Sequence, residues 1–118
     1  MNYASSLTPS NIAGLFELDK FGTVLYSRFR EHNTLTNAMP QLIGQNFFDE
    51  TARFENIEDF RQIFKTFIHS RQFADNFVFD CRFAEEVVPV RVMMVRAYQT
   101  SCAEPANIVI LDIRKNVK

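Results

Sequence analysis

Phe60, Ile63, Phe64, Phe67 and Ile68 recur at i, i+3, i+4, i+7 and i+8, with Arg61, Gln62 and Lys65 between them. That spacing lines up five apolar side chains along one stripe of an α-helix over residues 56–69. Asn56 is placed to cap it, and Glu58 and Asp59 lie in the first turn, where the helix dipole favours negative charge. A helix this short is marginal alone. Its three rings therefore need an apolar platform, and the platform must come from elsewhere in the chain.

The C-terminal half supplies it. Phe77, Phe79, Cys81 and Phe83 alternate with Val78, Asp80 and Arg82, the period of a half-buried strand. After a Glu85-Glu86 turn, residues 88–98 read as a second strand with Val88, Val90, Val92 and Met94 on one face and Arg91, Met93 and Val95 on the other. Pro89 suits a strand start or an edge. A loop over residues 100–106 with Pro105 leads to a last strand over 107–113. At the N-terminus, residues 11–18 and 23–27 read as a hairpin across the turn Asp19-Lys20-Phe21-Gly22. Residues 28–48 read as irregular, with short helical turns broken by Pro40 and Gly44. Within them, residues 38–43 are expected to form one short helix stopped by a left-handed Gly44. Asn33, Thr34, Thr36 and Asn37 favour side-chain-to-backbone bonds over ladders. The expectation is an α+β fold, a five-stranded antiparallel sheet with helices on one face. It spans residues 11–114, after a lead-in at 1–10 and before a linker or tail at 115–118.

Composition narrows the function. The 118 residues include thirteen Phe, no Trp and only three Gly, too few for a glycine-cradled nucleotide site. The net charge is −1; residues 1–56 carry four basic and six acidic side chains, and residues 57–118 nine and eight. Neither half has the positive field that a phosphate backbone requires, so no nucleic-acid partner is expected. The basic end Arg114-Lys115-Asn116-Val117-Lys118 is too short for a binding tail and reads as a solvated terminus or linker. No apolar run is long enough for a membrane span, and no signal-peptide core is present. Cys81 and Cys102 form no CxxC and cannot make a zinc site alone; they read as reduced thiols of a cytoplasmic protein, Cys81 in the core and Cys102 exposed.

Groups able to do chemistry are few. His69 at the helix end reads as a dipole-stabilising or solvent-facing imidazole, with a haem or metal ligand as the sharper alternative. Glu31-His32 would be an acid–base pair only if neighbouring side chains converged. Glu31 itself is either solvent-exposed or turned inward, where burial would raise its pKa. The phenylalanine excess reads either as core packing or as the lining of an apolar pocket between helix and sheet.

The order of elements and several strings resemble a PAS domain over about residues 12–114, most closely the photoactive yellow protein group. Leu18-Asp19-Lys20-Phe21-Gly22-Thr23-Val24-Leu25 is similar to the Asp-x-x-Gly-x-Ile/Val turn that opens many PAS domains. Leu42-Ile43-Gly44-Gln45-Asn46-Phe47-Phe48 is similar to the Ile-Gly-Lys-Asn-Phe-Phe string of the yellow-protein group. Val88-Pro89-Val90-Arg91-Val92 and Val109-Ile110-Leu111-Asp112-Ile113 also match. The resemblance puts the chromophore's hydrogen-bonding Glu on Glu31 and its Tyr on Ser27. The supporting Thr falls on Leu35, the covering Arg on Asn37 and the chromophore-bearing Cys on Phe54. A thioester cannot form on phenylalanine, so no covalent chromophore is expected. The Asn-Cys-Arg-Phe core of flavin light sensors is missing at Asn46-Phe47-Phe48-Asp49, and Asp80-Cys81-Arg82-Phe83 lies on a strand. Arg114 replaces the Thr of the usual closing Asp-x-Thr.

The resemblance implies a non-enzymatic sensory or protein-interaction module with no cofactor. Ser27, Glu31, Asn37 and Phe54 would line any small apolar ligand's site. Such modules pair with themselves, here through the sheet face or the N-terminal segment, and act on an attached or separate kinase, cyclase or transcriptional output domain. Val78, Met93 and Val95 are the expected apolar patch for a homodimer. Two alternatives stay open: a haem- or flavin-loaded sensor using His69 or Glu31, and a small α+β-cone enzyme using Glu31-His32 or another buried acid as base.

Overall fold

A computed structural model describes residues 6–31, 34–38, 40–97 and 108–116, with the backbone alone described at 34–38. The strands are β1 (Gly14–Leu18), β2 (Val24–Glu31), β3 (Thr34–Ala38), β4 (Ala74–Arg82), β5 (Val87–Ala97) and β6 (Ile108–Lys115). The helix α1 covers Ile57–His69. All pairings are antiparallel, in the order β3-β2-β1-β6-β5-β4. The chain's two ends meet in the middle of the sheet, where Phe16 of β1 stands opposite Leu111 of β6.

The α+β fold and the five expected strands form as the residue pattern requires, and a sixth extends the sheet. β2 runs on to Glu31, and the segment read as irregular folds back on it as β3, pairing Glu31 with Thr34 and Arg28 with Ala38. The register shifts between Arg28 and Arg30, which interrupts any clean two-residue period. The helix expected over 38–43 shrinks to one tight turn at Pro40–Leu42. Gly44 closes it at φ +91°, the left-handed conformation expected of it.

One face of the sheet is the core face. Phe16, Leu18, Val24, Val90, Val92, Met94, Val109 and Leu111 are completely buried on it. The two-residue period explains this: in β5 the buried and exposed positions alternate strictly from Val87 to Met94. Across this face lies α1, burying Phe60, Phe64 and Phe67 as its stripe demands. Before it, a π-helical turn at Phe47–Thr51 puts Phe47 and Phe48 beneath the helix. Phe60 sits at the centre, with five ring neighbours (Phe47, Phe48, Phe54, Phe77 and Phe79) at centroid distances of 5.2–6.2 Å. Edge-on and tilted arrangements like these suit the ring quadrupoles and add to the burial energy.

The ends of α1 are fixed by groups far away in the chain. Asn56 occupies the N-cap position, but its side chain makes no cap bond. Instead its Nδ2 donates to the Asp80 carbonyl (2.7 Å) and its Oδ1 accepts from the Arg82 amide (3.0 Å). At the other end, the buried Arg96 of β5 donates from Nη2 to the carbonyls of Phe67 (2.7 Å), Ser70 (3.3 Å) and Ile68 (3.4 Å), and from Nε to Gln72 (3.3 Å). The last-turn carbonyls and the negative end of the helix dipole thus meet a fixed cation. His69, read as either dipole-stabilising or solvent-facing, is exposed in the last turn, and Arg96 makes the bonds to the carbonyls there.

Candidate functional site

The four residues aligned with a chromophore pocket come from three places in the fold: Ser27 and Glu31 from β2, Asn37 from β3, and Phe54 from the segment before α1. Ser27 lies on β2 opposite Phe16 and is fully buried. Phe54 is buried at the far end of the core, its ring 6.1 Å from Phe79 and 5.6 Å from Phe83. Three strands, β1, β6 and β5, stand between Ser27's strand and β4, which carries Phe79. The space along this path holds rings in contact: Phe16 on Phe47 (5.3 Å), Phe47 on Phe60 (5.9 Å), Phe60 on Phe54 (6.2 Å). Packing rather than lining accounts for the phenylalanine excess at these positions. Asn37 lies on the edge strand β3.

Glu31 does not turn inward. It is exposed at the end of β2, because the strand continues past Ser27 to the β3 hairpin. Among the described residues the buried polar side chains are Ser27, Thr51 and Arg96, none of them a carboxylate. The acid that a cone enzyme would need at the floor of a cavity is thus not Glu31. His69 is also exposed and points to no interior site, and His32 and Cys102 lie outside the described residues. Cys81 is completely buried on β4 as expected; burial, aided by the neighbouring Asp80 charge, pushes its thiol up to about 12. Such a thiol is not nucleophilic at neutral pH.

The other face of the sheet carries the more suggestive arrangement. Pairing register places residues in rows across it: Asn76, Met93, Asp112, Leu15 and Arg28 in one, Ala74, Val95, Ile110, Glu17 and Tyr26 in the next. Val78 stands opposite Arg91 beside the first row. Val78 is 65% exposed and Met93 44%, so the expected patch is open to solvent there, with Val95 half-buried beside it. Near its middle, Asp112 accepts from Arg30 and from Arg114, each at 3.3 Å. The face is thus apolar and locally charge-compensated rather than a one-signed field.

Leu15 and Ile110 belong to this face and escaped the sequence reading. The available signal was the unbroken run Ile108-Val109-Ile110-Leu111 in β6. A strand with one wet face alternates, whereas an unbroken apolar run marks a strand whose two faces are both covered. Val92-Met93-Met94-Val95 in β5 repeats the signal next door.

No family model matches the chain, and no curated protein does. Solved structures do: 29 chains match, among them the PAS domain from Bordetella pertussis BvgS, at a TM-score of 0.55 and 13% identity, covering 94% of this chain and 79% of that one. The chain therefore has the PAS-like fold that its motifs resemble, and that likeness reaches no finer group within it. Among the described residues no helix is long and apolar enough to cross a membrane.

Proposed function

We propose that this chain is a non-catalytic PAS sensory and interaction module that works by pairing through the outer face of its sheet. The observation that carries the proposal is the double-sided apolar character of β5 and β6. Their core-facing residues are consumed by the core, which leaves Met93, Val95 and Ile110 facing outward, with Leu15 of β1 beside them and Val78 of β4 at the margin. Exposed apolar side chains interleaved with charges of both signs, the central Asp112 already compensated by Arg30 and Arg114, suit a protein–protein contact. A self-complementary face of this kind suits a two-fold homodimer, in which Arg91 or Arg114 of one copy would meet Glu17 or Asp112 of the other.

The interior supports this output over a ligand-driven one. Ser27 and Phe54 are held apart by packed rings, and Phe54 stands where the yellow-protein group carries its chromophore cysteine. Assignment to that group rests on the Leu42-to-Phe48 string and on Glu31 alone. A shift at the dimer face would pass to an attached or separate kinase, cyclase or transcriptional domain. Sedimentation equilibrium tests the pairing. The wild type should dimerise with a Kd of about 100 μM or tighter, and Met93→Arg should return it to a monomer. A wild type that stays monomeric, or a Met93→Arg variant that stays dimeric, would overturn it.

A further inference from the structure

From the cleft beside the Asp19–Gly22 turn we infer a binding site for a small amphipathic anion, a flat apolar body carrying a carboxylate or sulfonate. The site is separate from the sheet face and does not depend on the dimer proposal. Its cavity measures about 590 Å³, within the usual range for a small-molecule site. Phe48, Phe64 and Ile68 give it apolar walls. Arg61, Lys65 and His69, one helical turn apart along α1, run down one side, and Lys20 closes the other.

Two observations point to a ligand. The first is Phe21, 72% exposed on a turn that is locked at every step. Asp19 Oδ1 accepts from the amides of Phe21 and Thr23, both at 2.9 Å, and Asn46 Nδ2 donates to the Phe21 carbonyl at 2.9 Å. Gly22 has φ +89°, and a Cβ there would come within 2.9 Å of the Phe48 ring, so the turn is pinned against the cleft wall. An Asp-x-x-Gly turn requires nothing aromatic at this position. A ring presented on a backbone fixed in this way, at the mouth of a cleft with apolar walls, needs no loop ordering before a flat molecule stacks on it.

The second observation is charge. Arg61 is engaged by Asp49 and, at 3.6 Å, by Glu58, while its guanidinium lies over the Phe48 ring. Among the described residues Lys20 and Lys65 have no carboxylate partner; Lys20 instead sits 5.2 Å from the centre of the Phe21 ring. The carboxylate in the lining, Asp49, is already engaged by Arg61, so Lys20 and Lys65 leave the cleft a surplus of positive charge, which favours an anion with an apolar body over a neutral molecule or a cation. The lining has no glycine-rich loop, and the Phe48 and Asp49 amides of the turn that borders it are already taken by the Asn46 side chain, so the site lacks the amide cradle of a polyphosphate site.

The test uses anilinonaphthalene sulfonate as the probe and its uncharged counterpart N-phenylnaphthylamine as the comparison. The sulfonate should bind saturably with one site per chain, and the uncharged compound about tenfold more weakly. Lys65→Glu should weaken the sulfonate about tenfold and Phe21→Ser about fivefold, while Val78→Ser on the sheet face should leave it unchanged. Amide chemical shifts should move at Phe21, Asn46 and Ile68. Non-saturable binding, equal affinity for both compounds, indifference to Lys65→Glu, or shifts confined to β4–β6 would each overturn the assignment. The oligomeric state, read separately by sedimentation, keeps its failure distinct from that of the dimer proposal.

Discussion

The middle of α1 and its two ends are held by different physics. The middle is held by rings: Phe60 touches five others, and none of those contacts depends on a hydrogen bond. The ends are held by single polar side chains, Asn56 reaching to β4 and Arg96 reaching from β5. Rings are tolerant of angle and intolerant of lost volume. Polar clamps are the reverse, being indifferent to volume and strict about direction. The middle therefore decides that the helix lies on the sheet, and the ends decide how it is aimed.

Substitutions separate the two. Phe60→Ala empties the centre of the cluster and should cost about 3–5 kcal/mol, since the neighbouring rings cannot collapse into the space. Urea unfolding at neutral pH measures it, and Phe60→Leu should recover more than half. A loss below about 1 kcal/mol would mean that the rings are loosely packed. Arg96→Met keeps the length of the side chain but removes all of its own donors to the helix end, leaving the Ser70 hydroxyl and N–H on the Phe67 carbonyl. It should cost about 2–3 kcal/mol, the scale of charge-assisted hydrogen bonds to buried carbonyls. Arg96→Lys keeps the charge without the planar fork and should fall between Met and wild type. Hydrogen exchange should then show the last turn of α1 opening while its first turn stays protected. Uniform loss of protection along the helix would show that the clamp and the ring cluster act as one unit.

The same division explains what could be read from the sequence. The stripe Phe60-Ile63-Phe64-Phe67-Ile68 and the alternations in β4 and β5 are local patterns whose periods name their elements, so the helix, its sheet and their facing surfaces were legible. The clamps were not, because each joins residues more than twenty positions apart: Asn56 to Asp80 and Arg82, Arg96 to Phe67. The alternation that buries Val90, Val92 and Met94 carries on to Arg96 and puts it on the core face, but nothing in it names the helix-end carbonyls that the arginine meets. β3 escaped for a related reason. Thr34-Leu35-Thr36-Asn37 carries strand propensity and turn propensity together, and the decision falls to its pairing with β2, a tertiary event. The aligned positions Ser27 and Phe54 name a place in the chain but not what fills the space between them, and the rings of Phe16, Phe47 and Phe60 that touch there come from three separate elements.

Cys81 lies beneath the N-terminal seam of α1, between the two residues that Asn56 engages, and reports on it with the smallest expected effect. Its thiol, at about 12, titrates well above its ordinary value because burial excludes the thiolate and the adjacent Asp80 charge repels it. The raised value belongs to the folded state, so below pH ~9 the thiol is neutral folded or unfolded and contributes no pH dependence. Above that, the unfolded chain releases the proton and the folded chain retains it. Stability must then fall as pH rises, by up to about 1.4 kcal/mol per pH unit from this group, until the folded thiol itself titrates. Comparing urea midpoints at pH 8 and pH 10 for wild type and Cys81→Ala isolates the term, because the other groups that ionise in this window are common to both proteins. The difference between the two proteins should change by about 1 kcal/mol in favour of the alanine variant at the higher pH. If loosening the seam with Asn56→Ala admits water to the thiol, that pH-dependent term should shrink while the ring cluster stays intact. An unchanged term would show that the rings alone keep Cys81 dry and that the polar stitch at Asn56 serves only to aim the helix.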